Sequence, residues 1–240
     1  MFVKTTLILL LFTIPLGAQI SRNDSRISDA ITDLTNRMIH RNSTVGTTLL
    51  NSSPYFEPQF KEAKVIYFGE ALPEKVYLRY NAFSDEMEMS MNPTAKETDQ
   101  ALIKNSKVSC IIEGTVYRYL PLANGNLSLS KTGYVREIYQ GQHYNLYLRE
   151  RKIYREAIKA RTSLERSFPA RFVDESEWYI QTKEGGLRFI KPTKKYLKYY
   201  FKSNSEHLET FLKTKRGDLK EVDYLRRLVQ FMDEINQESE

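Results

Sequence analysis

The chain has 240 residues, of which 41% are hydrophobic and 12% aromatic, so it can form a packed core and is not predicted to be disordered. Its 36 lysines and arginines exceed its 30 aspartates and glutamates by six charges, a mild basic excess that is compatible with contact to an anionic surface. Its single cysteine excludes an intramolecular disulfide.

The first 19 residues have the layout of a secretory signal. Lys4 precedes an apolar run from Leu7 to Leu16, and the small pair Gly17-Ala18 follows. About ten apolar residues are too few to span a bilayer, which needs roughly 20, so we predict cleavage after Ala18 or Gln19. No later apolar run approaches that length. We therefore expect export to the periplasm, the extracellular space or the cell surface, and no transmembrane span in the mature chain.

A short amphipathic helix is predicted after the signal. Its apolar positions, spaced at i, i+4, i+7 and i+11, are Ile27, Ile31, Leu34 and Met38. Residues 41–60 are then rich in small, polar and proline side chains, as expected of a connection into a β region. We place the boundary near Asn51.

Between Lys64 and Arg149 the apolar side chains recur with a period of two, which predicts strands with one buried face. On the first clear strand, Val76, Leu78 and Tyr80 share a face. On the next, three methionines oppose polar positions: Met87, Met89 and Met91 against Glu86, Glu88 and Ser90. The link 81–84 between these two strands is short enough for a hairpin.

Glycines mark three further hairpins. Gly114 and Gly141 each follow an alternating run, where a tight turn needs the positive φ that glycine adopts easily. Residues 183–186, which include two glycines, separate the runs 178–180 and 187–190. This succession of hairpins predicts an antiparallel β-meander.

The C-terminal part of the chain has the punctuation of helices. The start and stop signals are Pro192-Thr193, a capping-box pattern of Ser203 with Glu206, Gly217, and Asp218 with Glu221. The apolar stripe of the last helix, which we expect to make core contacts, is Val222, Leu225, Val229 and Met232.

The predicted fold class is α+β, with an antiparallel sheet flanked by an N-terminal amphipathic helix and a C-terminal helical element. The predicted organisation is a signal peptide over 1–19, a helix and linker over 20–50, an antiparallel β domain over 51–190 with a basic connection near 149–171, and helices packed on the β domain over 191–240. We expect the middle of the basic connection to form a short helix or an ordered loop.

Few residues carry recognisable chemistry. The three histidines, His40, His143 and His207, lie far apart, so no metal site is predicted, and no motif indicates a cofactor. The densest carboxylates, Asp85, Glu86 and Glu88, fit a solvated strand face. We predict that Cys110 is buried, because it shares a strand face with Val108 and Ile112.

Aromatic and basic side chains supply the candidate binding residues. Tyr144 and Tyr147 lie on opposite faces of one strand, where tyrosine can stack on a ligand or fill a half-buried strand position. Arg149, Arg151, Lys152 and Arg155 begin a basic run that continues through Lys159 and Arg161. This run could contact lipid phosphates or an acidic polysaccharide, or form a solvated connection.

Several segments together resemble a group of uncharacterised exported proteins of Bacteroidota. The similar segments are SPYFEPQF, LRYNAFSDEMEM, the glycine-turn hairpins and FIKPTKKYLKYYF. The resemblance covers most of the mature chain and concerns strand and turn positions. It implies export and the order of the strands, and it implies no activity, cofactor or catalytic residue.

The leading hypothesis is a non-catalytic binding or interaction protein of the bacterial cell envelope. Its candidate partners are an envelope protein, an anionic lipid surface or an acidic polysaccharide; nucleic acid is not expected for an exported chain. The alternatives are an extracytoplasmic glycan hydrolase and a carrier of a lipid or other apolar ligand. Converging carboxylates would favour the hydrolase, an apolar cavity the carrier, and an aromatic and basic face the interaction protein.

Overall fold

A computed structural model describes residues 52–123, 131–162, 164–183 and 185–237 of the chain. The predicted signal, the predicted N-terminal helix and the boundary at Asn51 lie outside these residues. The described part is a mixed α+β structure with mostly strands and few helices.

The described residues form 12 strands, three α-helices and one 3₁₀ turn. The strands are β1 (Lys61–Tyr67), β2 (Glu70–Ala71), β3 (Val76–Asn81), β4 (Glu86–Ser90), β5 (Val108–Ile112), β6 (Thr115–Ala123), β7 (Lys131–Gln140), β8 (Tyr144–Arg149), β9 (Lys152–Arg155), β10 (Arg171–Asp174), β11 (Glu177–Thr182) and β12 (Leu187–Ile190). The helices are α1 (Lys194–Tyr200), α2 (Ser205–Thr214) and α3 (Val222–Gln237), and the 3₁₀ turn is Lys202–Asn204.

The main sheet has ten strands and closes on itself. Its order is β12-β11-β8-β7-β6-β5-β1-β3-β4, with β2 paired to β1. Strand β12 also pairs in parallel with the end of β6, where Leu187 is opposite Leu122. Strands β6, β7, β8, β11 and β12 therefore form a small barrel, to which the other strands are added.

The predicted simple meander is thus wrong in two respects: the sheet is closed, and β1 lies between β5 and β3. Closure is possible because β6 is nine residues long. Its first half pairs with β5 and its second half with β12. Closure also removes the exposed edges that an open sheet would have at β6 and β12.

The predicted hairpins are present, but Gly114 and Gly141 have different roles in their turns. Gly114, between β5 and β6, has a φ of +81°, as expected of a tight turn. Gly141, between β7 and β8, does not have a positive φ. A side chain at Gly141 would collide with the carboxylate of Asp233, which approaches from helix α3. Glycine is therefore required there by a close contact between the helix and the turn.

The described residues in the middle of the basic connection form a loop with no helix, one of the two expected outcomes, but both ends of the connection are strands, which we did not predict. Strands β9 and β10 pair as a separate two-stranded sheet, in which Ile153 is opposite Val173 and Tyr154 is opposite Phe172. An isolated bridge between Ile158 and Phe168 extends this pairing outward. The apolar cross-strand pairs explain why the segment is extended. We call residues 149–174, from the last residue of β8 to the end of β10, the arm.

Three apolar clusters form the core. The barrel interior is filled by large side chains: Leu122, Val135, Tyr147, Tyr179 and Leu187. A second cluster joins the outer face of β8, β11 and β12 to the three helices. A third covers β1, β3, β4 and β5 and includes Cys110, which is buried as predicted. Met91, predicted to share the face of Met87, is instead 58% exposed, because β4 ends at Ser90.

The helices begin and end at positions that differ in part from the prediction. Helix α1 is capped by the side chain of Thr193, as predicted. The prediction of a capping box by Ser203 and Glu206 is wrong. Ser203 lies in the 3₁₀ turn, and α2 begins after Asn204, which provides no side-chain cap. Helix α2 ends before Gly217, which packs against the ring of Tyr224. The predicted stripe of α3 lies in the core cluster.

Candidate functional site

The inner end of the arm is held by ion pairs to distant strands. The Arg149 guanidinium lies 3.1 Å from Asp85 and 3.5 Å from Glu177. Arg151 lies 3.0 Å from the same Glu177. Burial by itself would lower the pKa of Arg149, but Asp85 and Glu177 outweigh it and raise that pKa above its ordinary value. These contacts fix the direction in which the arm leaves the barrel.

Asp85 is itself fixed by the turn between β3 and β4. Its φ of +56° is in the left-handed region, which aspartate tolerates better than most residues. The carboxylate accepts hydrogen bonds from the Tyr80 hydroxyl at 2.7 Å and from the Tyr134 backbone N–H at 3.1 Å. These two hydrogen bonds hold the Asp85 carboxylate in the position from which it contacts Arg149.

The six candidate binding residues do not form one site. Tyr147 is buried inside the barrel. Tyr144 faces the helices, where its ring packs edge-on against Phe201 and its hydroxyl accepts a hydrogen bond from Asn236. Lys152 pairs with Asp174 at 3.1 Å. Arg149 and Arg151 lie together at the inner end of the arm, and each has an intramolecular carboxylate partner.

Arg155 differs from the other candidates. It is exposed, and the structure gives it no ion pair among the described residues. Beyond it lie three more exposed cations without an ion pair in the described ranges, Lys159, Arg161 and Arg166. The available positive charge of the basic run is thus in its second half, toward the end of the arm.

Exposed apolar side chains are interleaved with these cations. Leu164 is 95% exposed, Ile158 62% and Phe168 44%. Sequence reasoning missed these three residues and Arg166; the available signal was an isolated leucine between Arg161 and Arg166. We call the combined set the outer arm surface: Arg155, Ile158, Lys159, Arg161, Leu164, Arg166 and Phe168.

The exposed large hydrophobic side chains of the described residues are concentrated on the outer arm surface and beside the arm. Of the eight such side chains, three belong to this surface and two lie beside the arm. Phe83 packs on Phe172 with ring centroids 5.1 Å apart, and the ring of Phe56 lies 4.5 Å from the Lys152 ammonium. Clustering of this kind is typical of interaction surfaces, whereas exposed apolar residues scattered singly are ordinary.

The outer half of the arm has a net positive charge. Residues 155–171 contain five lysines and arginines and two glutamates, so the difference is +3. The Glu165 carboxylate accepts a hydrogen bond from the backbone N–H of Arg161 at 2.7 Å, which orders the end of the arm.

Of the three carboxylates predicted on a solvated face, Glu86 and Glu88 are buried and Asp85 is half-buried. Glu86 is 7% exposed and Glu88 is fully buried. Glu88 accepts hydrogen bonds from Arg79 at 3.0 Å and Asn81 at 2.9 Å, and a further one from Tyr55. The prediction was wrong because Arg79 lies directly opposite Glu88 in the β3–β4 ladder, a pairing that hydrophobic alternation alone does not reveal.

A second candidate site is a small polar pocket beside β3, β5 and β7. Its volume is about 120 Å³. The floor is apolar and includes Leu78 and Ile112. The polar residues that line it are Glu57, Gln59, Lys61, Arg79, Tyr80, Glu113, Thr115, Tyr117, Arg136 and Glu150, and the ring of Phe56 also lines it.

Each cation of this pocket has a carboxylate partner, and for Arg79 that partner is the buried Glu88. Lys61 contacts both Glu57 and Glu113, and Arg136 lies 3.0 Å from Glu150. Burial raises the pKa of the Glu150 carboxyl above its ordinary value, although the Arg136 guanidinium opposes this shift. Ionisable groups perturbed in this way inside a pocket are typical of functional sites, and they also occur in structural ion pairs.

The chain matches no known family model, no curated protein and no solved structure. Within the described ranges, no group of three or more histidines, cysteines, aspartates or glutamates could hold a metal ion. In the same part of the chain, none of the helices has the length and apolar character needed to cross a bilayer.

Proposed function

We propose that this chain is an exported, non-catalytic interaction protein of the bacterial cell envelope, and that it binds an anionic membrane surface through the outer arm surface. The signal-like first 19 residues and the resemblance to exported proteins of Bacteroidota support the location. The exposed residues of the arm support binding to a membrane through the outer arm surface.

The proposal rests mainly on one observation: the projecting hairpin of β9 and β10 combines exposed cations with exposed apolar side chains. Four cations that have no ion pair among the described residues can approach lipid phosphates, and each Lys or Arg near an anionic membrane contributes about 1 kcal/mol. Leu164 and Ile158 can enter the boundary between head groups and acyl chains, where burial of apolar area adds to the attraction.

The apolar component favours a lipid surface over the other candidate partners. An acidic polysaccharide would be recognised through charge and hydrogen bonds, and it would give no reason for a leucine that is 95% exposed. An envelope protein could bury the same side chains, but a protein surface with a high density of negative charge would then be needed as well.

The two alternative functions have less support from the geometry. A carrier needs an empty apolar cavity, and the barrel interior is occupied by five large side chains. A glycan hydrolase needs a carboxylic acid held protonated. Glu150 has a raised pKa, but it also lies 3.0 Å from Arg136, which favours its ionised form.

A vesicle sedimentation assay tests the proposal. The chain without its predicted signal should sediment with phosphatidylglycerol vesicles and not with phosphatidylcholine vesicles. Leu164→Ser should weaken this binding about fivefold, since the loss of one inserted leucine removes roughly 1 kcal/mol. The control is Met91→Ser, which removes another exposed apolar side chain outside the arm.

Equal binding by the Leu164→Ser and Met91→Ser proteins would contradict the role of the arm. Binding to soluble polyglutamate or alginate with no vesicle binding would replace the lipid surface with an acidic polymer. Capture of one envelope protein in equal amount, again without vesicle binding, would replace it with a protein partner.

A further inference from the structure

We propose that the polar pocket beside β3, β5 and β7 is a second, independent binding site, and that its ligand is a single neutral sugar unit. The pocket lies among β-strand side chains and does not include the outer arm surface. The proposal therefore stands whether or not the arm binds a membrane.

The pocket presents the side chains that recognise vicinal hydroxyl groups. Gln59, Arg136 and Glu150 end in planar amide, guanidinium and carboxylate groups, which can exchange two hydrogen bonds at once with neighbouring hydroxyls. Thr115 and Tyr117 add hydroxyl groups that can donate or accept. A ligand that is both donor and acceptor around its whole edge fits this set.

The charge pairing favours a neutral ligand. Each cation contacts a carboxylate: Lys61 contacts Glu57 and Glu113, Arg136 contacts Glu150, and Arg79 contacts Glu88. A phosphate or carboxylate ligand would have to displace one of these acids from its cation. An amine would have to displace a cation from its acid. A neutral polyhydroxylated ligand can instead bond to the pairs as they stand, with their groups already oriented.

The apolar elements and the size of the pocket agree with one sugar ring. Leu78 and Ile112 form an apolar floor, and the ring of Phe56 at the rim is partly exposed. Aromatic rings of this kind pack against the C–H face of a sugar while the polar edge is bonded by the surrounding side chains. A volume of about 120 Å³ admits one ring with part of it left in solvent, and excludes a long chain lying inside.

Matched sugars and NMR titration test this proposal. The probes are glucose and N-acetylglucosamine, with glucuronate and glucosamine as anionic and cationic sugars of similar size. We expect saturable shifts of the Glu113 and Thr115 backbone amides with at least one neutral sugar at millimolar concentration. We also expect the charged sugars to bind about fivefold more weakly or worse.

Two substitutions locate the binding. Phe56→Ala removes the rim ring, and Glu150→Gln keeps the shape of the side chain while it removes the negative charge. Each should reduce neutral-sugar affinity at least about fivefold, whereas Phe83→Ala, at an exposed aromatic ring outside the pocket, should not. The amide spectrum of each variant shows whether it is folded.

Three results would overturn the proposal. The first is the lack of any saturable shift with neutral sugars at tens of millimolar. The second is tighter binding of glucuronate or glucosamine than of the neutral sugars. The third is unchanged affinity in folded Phe56→Ala and Glu150→Gln proteins.

Discussion

The inner and outer halves of the arm both contain basic residues, but those residues have opposite surroundings. At the inner end, Arg149 and Arg151 contact carboxylates that come from the β3–β4 turn and from β11. In the outer half, Arg155, Lys159 and Arg161 are exposed, without an ion pair in the part of the chain that the structure describes. A run of basic residues is therefore divided, by its distant partners, into a structural half and a surface half.

The largest expected effect concerns the structural half. Arg149→Ala leaves Asp85 and Glu177 without their shared cation in a largely buried position, so we expect a loss of about 3–5 kcal/mol in the free energy of unfolding. Chemical denaturation measures this loss. Arg155→Ala is the matched control and should change the free energy by less than about 0.5 kcal/mol. Similar losses in both proteins would remove the distinction between the two halves.

A carboxylate on α3 extends the comparison to acidic residues. Asp233 accepts hydrogen bonds from the backbone N–H groups of Gln142, His143 and Tyr144 at 3.0, 2.7 and 2.7 Å. Burial by itself would raise the pKa of Asp233, but these donors outweigh it and lower that pKa below its ordinary value. Exposed acids such as Glu165 lack such donors from a distant turn.

We expect Asp233→Asn to cost about 2 kcal/mol at neutral pH, because a charged acceptor of several hydrogen bonds is lost. Since the folded pKa is lower than the unfolded one, this contribution is complete above the unfolded value near 4 and decreases as the pH falls toward the folded value. Denaturation at several pH values measures it. The wild-type protein should lose part of its advantage over Asp233→Asn below about pH 4. A constant difference down to about pH 2 would contradict this assignment.

The burial of Cys110 allows a simple test of whether the core excludes solvent and reagents. Its side chain is fully buried, and burial raises the pKa of the thiol, so both access and the thiolate form are suppressed. A thiol reagent should react with the protein only after denaturant is added. Rapid reaction in the native state would show that β5 is not covered as described.

The smallest stability effect is expected at the outer arm surface. Reversal of two exposed charges in the K159E/R161E protein should change the free energy of unfolding by less than about 0.5 kcal/mol, since neither residue has an ion pair in the described ranges. Thermal or chemical denaturation measures this. A loss of more than about 1 kcal/mol would assign a structural role to the outer half as well.

The local parts of the fold could be predicted from the sequence. Alternation placed Val76, Leu78 and Tyr80 on one buried face, and Gly114 marked a turn that needs a positive φ. These signals are contained in a few neighbouring residues. The pairing of β12 with β6 was not predictable in the same way, because it joins Leu187 to Leu122 across two other hairpins.

The candidate site was harder to predict than the fold, because it is formed by contacts between residues distant in the sequence. Glu88 looks like a surface acid until Arg79 is placed opposite it. Arg149 and Arg155 are indistinguishable in composition until Asp85 and Glu177 are located. Strand β9 has only four residues, too few for alternation to distinguish it from a helix or loop. The basic character of this segment could thus be predicted from the sequence. The division of its positive charge between paired and exposed residues could not.

Binding to anionic vesicles as a function of salt tests whether the outer arm surface attaches the protein to a membrane. The chain without its predicted signal, the K159E/R161E protein and a charge-matched K202E/K220E control would be compared from low to physiological ionic strength, where the Debye length falls to about 8 Å. We predict a steep decrease of wild-type affinity with salt, and a loss of at least about 2 kcal/mol, roughly 30-fold, in K159E/R161E but not in the control. Equal affinity of the two variants, or binding that does not depend on salt, would contradict electrostatic binding of the outer arm surface to the membrane.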